Sequence, residues 1–239
     1  MGAPGAWPGM VTAVRLGCLS DIHGNLPALQ AVLAAMPAVD GLVCAGDVVG
    51  YYPDVNEVCI MLRQAGAYVI RGNHDAYVID ELVPALNHRA AYRTDWTRER
   101  LSPENYAWLS ALPVELRFRF GVTDLVVRHA SPWDEETYLY PDSPRLAELF
   151  LPEGQIHLFG HTHRPLWRKT GLGWVLNPGS VGQPRDYNPA PAFAILDTET
   201  RQAALCRATY DVAGYQERLR NLGWDEAAIA ILSRERRRQ

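Results

Sequence analysis

Leu16-Gly17-Cys18-Leu19-Ser20-Asp21-Ile22-His23-Gly24-Asn25 is an apolar run that ends abruptly in side chains with an appetite for metal ions. The run predicts a buried strand, Val11 to Leu19. Beyond it Asn25 is a natural N-cap, and Leu26, Leu29, Val32, Leu33 and Met36 recur at helical spacing, with Pro27 tolerated in the first turn. The pattern then repeats. Gly41 to Ala45 is a second short apolar strand ending at Gly46-Asp47, and Val55, Val58, Cys59 and Leu62 mark a second amphipathic helix. Tyr68 to Ile70 is a third strand, running into Arg71-Gly72-Asn73-His74-Asp75. Alternating strand and helix predicts βαβ units with parallel neighbours, which brings the three polar clusters to one sheet edge. In open α/β sheets that edge is where sites form.

The rest of the chain adds two more clusters. Residues 76–112 form a more polar helical insert, anchored by Trp96, Tyr106 and Trp108 and punctuated by Pro84 and Pro103. Val114 to Phe118 and Val122 to Val127, separated by Gly121, predict a hairpin whose second strand delivers His129. Ile156 to Phe159 leads into Gly160-His161-Thr162-His163. Two further pairs of short strands, Leu166 to Lys169 with Trp174 to Leu176 and Ala192 to Leu196 with Ala203 to Arg207, make this half mostly antiparallel in expectation. From Asp211 onward the pattern predicts two helices, with Arg234 to Gln239 as a solvated, fraying end.

A chain of 239 residues with 48% hydrophobic content supports one large domain, taken here as 11–239 after a loose tail, 1–10. That tail has neither a basic region nor an apolar core of the signal-peptide kind, and Met10 is a candidate alternative start. No apolar run approaches the ~20 residues of a membrane helix. With a net charge of −4 and a pI near 6.0, no basic field recruits nucleic acid, so a small substrate is expected. Cys18, Cys44, Cys59 and Cys206 form no metal-binding pattern and are expected to be reduced thiols of a cytoplasmic protein. The oligomeric state stays open, with a homo-oligomer among the outcomes.

Hard first-row divalent or trivalent metals take carboxylate, imidazole and amide oxygen together, and one carboxylate can bridge two ions. Asp21 and His23 alternate around Ile22, and His161 and His163 around Thr162, so in extended backbone each pair points to one side and grips one locus. Two ions about 3.5–4 Å apart would polarise a phosphoryl group and lower the pKa of a bound water toward about 7. His88 and His157 are expected to be ordinary surface and strand residues. Arg71, Arg164 and Arg185 flank the motifs, with Arg185 the first candidate for phosphate. Asn25 lies close enough to reach phosphate or a metal-bound water, although its cap role suffices to explain it. The insert and residues 131–151, with Trp133, Tyr138 and Tyr140, are the expected walls.

Asp-x-His, Gly-Asp, Gly-Asn-His-Asp, a lone His and Gly-His-x-His, in this order over roughly Leu16 to Asp186, resemble the calcineurin-like metallophosphoesterase superfamily. Within it the small bacterial and archaeal phosphodiesterase branch is most similar, on Asp21-Ile22-His23-Gly24-Asn25 and on the segment Asn177-Pro178-Gly179-Ser180-Val181-Gly182-Gln183-Pro184-Arg185. The resemblance implies an α/β fold, a four-layer αββα sandwich of two mixed β-sheets flanked by helices. It also implies one metal on Asp21, His23 and His163, a second on Asn73, His129 and His161, and Asp47 bridging both. The ions would be divalent transition metals, manganese by family habit, with Fe, Zn, Ni or Co able to take the same ligands. His74 would bind phosphate and act as general acid, with Asp75 orienting it. The implied activity is hydrolysis of a phosphodiester by a hydroxide bridging the ions. The alternatives are a phosphomonoesterase, a dinucleoside polyphosphate hydrolase, and a non-catalytic scaffold for protein partners.

Overall fold

The computed structural model describes residues 13–235. The tail 1–10, Val11 and Thr12 at the head of the expected first strand, and residues 236–239 lie outside the described residues. Strand β1 (Arg15–Leu19) carries Leu16 and Cys18 on one face and Leu19 on the other, all buried. The chain then enters helix α1 (Leu26–Ala35), which Asn25 caps by accepting from the Ala28 amide. Strand β2 (Gly41–Cys44), helix α2 (Val55–Gln64) and the two-residue strand β3 (Tyr68–Val69) complete two βαβ units. Both β1–β2 and β2–β3 are parallel, as the alternation predicts.

Four helices follow: α3 (Asn73–Val78), α4 (Leu86–Tyr92), α5 (Thr94–Arg100) and α6 (Pro103–Ser110). The helical region therefore begins at Asn73 rather than Ala76, so the third polar cluster itself opens a helix. Next come β4 (Glu115–Phe120), β5 (Thr123–Arg128), a 3₁₀ turn (Pro144–Glu148), β6 (Gln155–Leu158), β7 (Leu166–Thr170) and β8 (Gly173–Asn177). The last elements are β9 (Ala192–Asp197), β10 (Gln202–Arg207), α7 (Val212–Asn221) and α8 (Glu226–Ile231).

Two mixed five-stranded sheets result, ordered β10-β9-β1-β2-β3 and β4-β5-β6-β8-β7. The hairpins of the second half form as expected, yet the centre of the second sheet, β5-β6-β8, is parallel. That departure has a physical origin: β5 and β6 are joined by an irregular crossover, 129–154, which carries no helical period to betray it. Leu16, Cys18 and Val43 of the first sheet meet Phe118, Leu125, Ile156 and Leu176 of the second, so the main apolar core lies between the sheets. Outside the first sheet α1, α2 and α6 bury Leu29, Val32, Val58, Leu62 and Leu109 against Leu19 and Cys44. The fourth layer, over the second sheet, packs Leu139, Leu146 and Leu149 against Phe159 and Val175. This is the expected α/β sandwich, and it aims the carboxyl ends of two parallel triplets at one place.

Candidate metal centre

The polar clusters converge there. Among the described residues, Asp21, His23, Asp47 and His163 offer ligand atoms within 4.8 Å of one another, and Asp47, His129 and His161 form a second such group sharing Asp47. All six are buried. Asn73 joins the second group, its Oδ1 lying 3.0 Å from both His129 Nε2 and His161 Nδ1. His161 and His163 thus fall into different groups, against the expectation that they grip one locus. Nor is their backbone extended: Asp21, His23, Asp47, His161 and His163 have φ of 54°, 52°, 55°, 65° and 57°. This left-handed region is rare for side chains other than Asn, Asp and His, and here it bends each strand end inward.

Backbone contacts hold each turn. The His161 amide donates to both carboxylate oxygens of Asp21 at 3.1 Å, and the His74 amide donates to Asp47 Oδ1 at 2.9 Å. Gly72 is required by space, because a Cβ there would stand 2.2 Å from Asp47 Oδ1 and 2.4 Å from its amide nitrogen.

Each imidazole gives its outer N–H to a backbone carbonyl. His23 Nδ1 pairs with Val49 O at 3.2 Å, His129 Nδ1 with Ala45 O at 2.7 Å, His163 Nδ1 with Gln183 O at 2.6 Å, and His161 Nε2 with Glu136 O at 3.0 Å. A carbonyl can only accept, so the tautomers are fixed with the other nitrogen inward. Two of those nitrogens, His23 Nε2 and His163 Nε2, lie 3.1 Å apart with lone pairs facing. Asp47 Oδ2 is buried with no hydrogen-bond partner and sits 3.6 Å from His23 Nε2 and 3.2 Å from His129 Nε2. Facing lone pairs and an orphaned carboxylate oxygen repel one another unless a cation lies between them. The donor set, carboxylate and amide oxygen with imidazole nitrogen, fits divalent metal ions.

Electrostatics agree. Burial, opposed by Asp47, brings His23 down to about 4, and burial brings His161 down to about 3. Burial and the nearby Arg185 guanidinium hold His163 well below the ordinary value. These three are neutral, as ligands must be. His129 differs: burial pulls it down, but the Asp47 and Asp21 carboxylates prevail and lift it to about 10. Burial alone would raise Asp47, yet His129, His74 and His23 hold it well below the carboxylate range.

His74 lies beside the first group, its ring centroid 4.8 Å from that of His23. Tyr51 and Tyr92 pack on it at 4.7 and 4.3 Å, and Tyr77 at 5.7 Å. Tyr138 stacks on His161 at 3.9 Å. These tyrosines roof the metal groups. Burial holds His74 well below its ordinary value despite Asp47.

Asp75 does not touch that ring. Its carboxylate accepts from the backbone amides of Val48, Val49 and Gly72 at 3.2, 3.0 and 2.9 Å, so it fastens α3 to the loop after Asp47. Asn25 is likewise spent on structure: Oδ1 caps α1 and Nδ2 donates to Gly182 O and Tyr210 Oη. Both side chains thus make structural hydrogen bonds within the fold.

Arg185 does reach the site. Its Nη2 donates to Tyr51 Oη at 3.0 Å and to Gln183 Oε1 at 2.7 Å, and among the described residues no carboxylate forms an ion pair with it. By contrast Arg71 pairs with Glu81, and Arg164 lies over Tyr140. Trp133 is half exposed beneath Arg145 and lines the cavity that reaches His129, whereas His157 is a buried strand residue and His88 an exposed one, as expected.

Sequence reasoning missed Tyr51, Tyr77, Tyr92 and Gln183. The signal for two of them was present, in Gly50-Tyr51-Tyr52 just past Asp47 and in Gln183 two residues before Arg185. It also missed the C-terminal helices as a wall: Trp224 Nε1 donates to Tyr51 O at 2.7 Å. One cavity of about 430 Å³ abuts His129, and another of about 520 Å³, between α4 and α8, abuts Tyr51.

Comparison with known proteins agrees with this geometry. The Calcineurin-like phosphoesterase superfamily domain matches residues 14–201. Phosphodiesterase YfcE of Escherichia coli is 27% identical over 199 residues, covering 78% of this chain and 89% of that protein. An uncharacterized protein of Methanocaldococcus jannaschii is 29% identical over 224 residues, 85% of this chain and 91% of the other. The crystal structure of a metallophosphoesterase from Sphaerobacter thermophilus superposes with a TM-score of 0.79 at 29% identity, covering 92% of this chain and 98% of that one. The fold, the converging buried ligands and the span of the match together make this chain a member of the calcineurin-like phosphoesterase superfamily.

Proposed function

We propose that the chain is a binuclear metal-dependent phosphodiesterase acting on a small, nucleotide-like phosphate ester. The observation that carries this reading is the orphaned Asp47 Oδ2, shared between two groups of buried ligands. Asp21, His23 and His163 would hold one ion, Asn73, His129 and His161 the other, and Asp47 both, with manganese the working choice. When bound, such ions supply Lewis acidity toward the phosphoryl oxygens and make a water nucleophilic near neutral pH.

The protein's own groups do the rest. Arg185, a half-buried cation with no carboxylate ion pair among the described residues, supplies positive charge for the equatorial phosphoryl oxygens. His74 faces the same space, and its burial favours a neutral ring that donates an N–H to phosphate. The negative charge that builds on the phosphoryl oxygens as the nucleophile adds would raise that ring's pKa and favour proton donation to the leaving oxygen, which a diester with an alkoxide leaving group needs. The tyrosine roof excludes bulk water and strengthens these interactions. The cavity of about 430 Å³ against His129 gives a substituent of the ester room beside the second metal group.

The deciding experiment is hydrolysis of bis-p-nitrophenyl phosphate beside p-nitrophenyl phosphate, after chelator stripping and manganese reconstitution. Diester cleavage should require metal and be lost in Asp47→Ala. Preferential monoester cleavage would replace the reading with a phosphomonoesterase. Binding of two ions with neither ester cleaved under Mn, Fe, Zn, Ni or Co would leave the scaffold alternative.

A further inference from the structure

We propose that Gln183 is a positioning residue that fixes Arg185 for phosphate and ties it to His163, an inference that rests on the role given above to Arg185. Gln183 is fully buried, and every polar atom it owns is engaged. Its Oε1 accepts from both Nε and Nη2 of Arg185, at 3.1 and 2.7 Å. Its Nε2 donates to Tyr52 Oη at 3.1 Å, and that hydroxyl passes its own proton to Ala228 O at 3.2 Å. Its backbone carbonyl accepts from His163 Nδ1 at 2.6 Å, and its amide donates to Ser180 Oγ, which in turn donates to Asp21 O at 2.7 Å.

The directions of these bonds leave no freedom. A guanidinium only donates, so the amide oxygen must face Arg185 and the NH₂ must face Tyr52. Gln183 thereby holds the guanidinium in place without neutralising it, which Glu or Asp at this position would do. The same residue sets the tautomer of a metal-group histidine through its backbone. A substitution thus removes the grip on Arg185 while leaving the carbonyl that serves His163.

Separability is what the test exploits. Gln183→Met keeps the length and the backbone carbonyl but loses both side-chain bonds. On manganese-reconstituted protein, calorimetry should show inorganic phosphate bound about tenfold more weakly, the scale of a lost bond to a charged group. kcat/KM for bis-p-nitrophenyl phosphate should fall by at least a similar factor, while manganese binding to the stripped protein stays as in the parent.

Arg185→Ala should weaken phosphate as well, and adding Gln183→Met to it should cause no further loss, because Gln183 acts through Arg185. Gln183→Glu, which keeps the acceptor but neutralises the guanidinium, serves if the Met variant does not fold, and it too should weaken phosphate while manganese binding is retained. Unchanged phosphate affinity in the Gln183 variants, additive losses in the double variant, or a parallel loss of manganese affinity would each overturn the inference. If Arg185→Ala alone leaves phosphate binding intact, the role of Arg185 falls, and this inference with it.

Discussion

The floor and the roof of the site are built on opposite principles. The floor, Asp21, His23, Asp47, Asn73, His129, His161 and His163, sits at the ends of buried strands, and backbone hydrogen bonds fix each imidazole. The roof is made of aromatic side chains from a loop, an insert and a crossover: Tyr51, Tyr77, Tyr92 and Tyr138. Helix α4, which carries Tyr92, has no buried residue. The candidate ligands are held by the core, whereas Tyr92 and Tyr138 of the roof stand on partly exposed elements. Floor positions should therefore tolerate nothing and roof positions a great deal.

Gly72→Ala tests the floor with a single methyl group. Its Cβ would meet the backbone nitrogen of Asp47 at 2.4 Å, an atom that cannot rotate away. Thermal unfolding of the variant should show a loss upward of about 3 kcal/mol, and cation binding should be lost with it. A variant that keeps parental stability and stoichiometric metal would show that the floor can yield, and the contrast would break.

His157 asks whether burial alone makes a floor histidine. It lies on β6 between Val126 and Val175, five residues or fewer from His161, yet its Nε2 has no partner. Burial, with Arg128 and Arg117 outweighing Glu115, brings it down to about 4. The unfolded chain then takes up its proton first, so stability is full above the ordinary pKa of about 6.5 and falls as pH drops toward 4. Integrated to pH 4.5 this contribution is on the order of 2 kcal/mol. His157→Ile should flatten that part of the acid limb in denaturant titrations, and an unaltered limb would show that His157 opens to water before it titrates.

The same contrast explains what the sequence discloses. Floor residues are legible because only Asp, Asn and His can do their work, and because each follows an apolar run that ends in a turn. Their left-handed backbone is not legible, since glycine is the usual marker of positive φ and Asp21, His23, Asp47, His161 and His163 are not glycine. Asp75 and Asn25 have a residue type that suits catalysis, and in the fold their oxygens also serve backbone amides at helix starts, a role their residue type does not announce. The roof is illegible because its tyrosines come from three separate segments, and an aromatic residue in a linear pattern is as consistent with core packing as with a binding wall. The parallel centre of the second sheet escaped because its crossover carries no α-helix.

Tyr92→Ala is the intermediate test, aimed at the roof. Its ring lies 4.3 Å from that of His74 and stacks on Tyr77 at 5.9 Å. Removal should lower kcat/KM for bis-p-nitrophenyl phosphate about tenfold, with metal stoichiometry unchanged and Tyr92→Phe close to the parent. Loss of metal in Tyr92→Ala would merge roof and floor into one unit.

The smallest expected effect is the sharpest statement about α4. Leu86 and Val83 are 88% and 80% exposed at the start of the helix that carries Tyr92. If α4 is held only by Tyr92 and its neighbours, Leu86→Ser removes no packing, and stability should move by less than about 0.5 kcal/mol. Activity toward both aryl phosphates should be unchanged as well, because the side chain points away from the roof's tyrosines into solvent. A drop in activity at constant stability would mean that the outer face of α4 is covered during turnover, and the roof would then be an element that closes rather than one that stands.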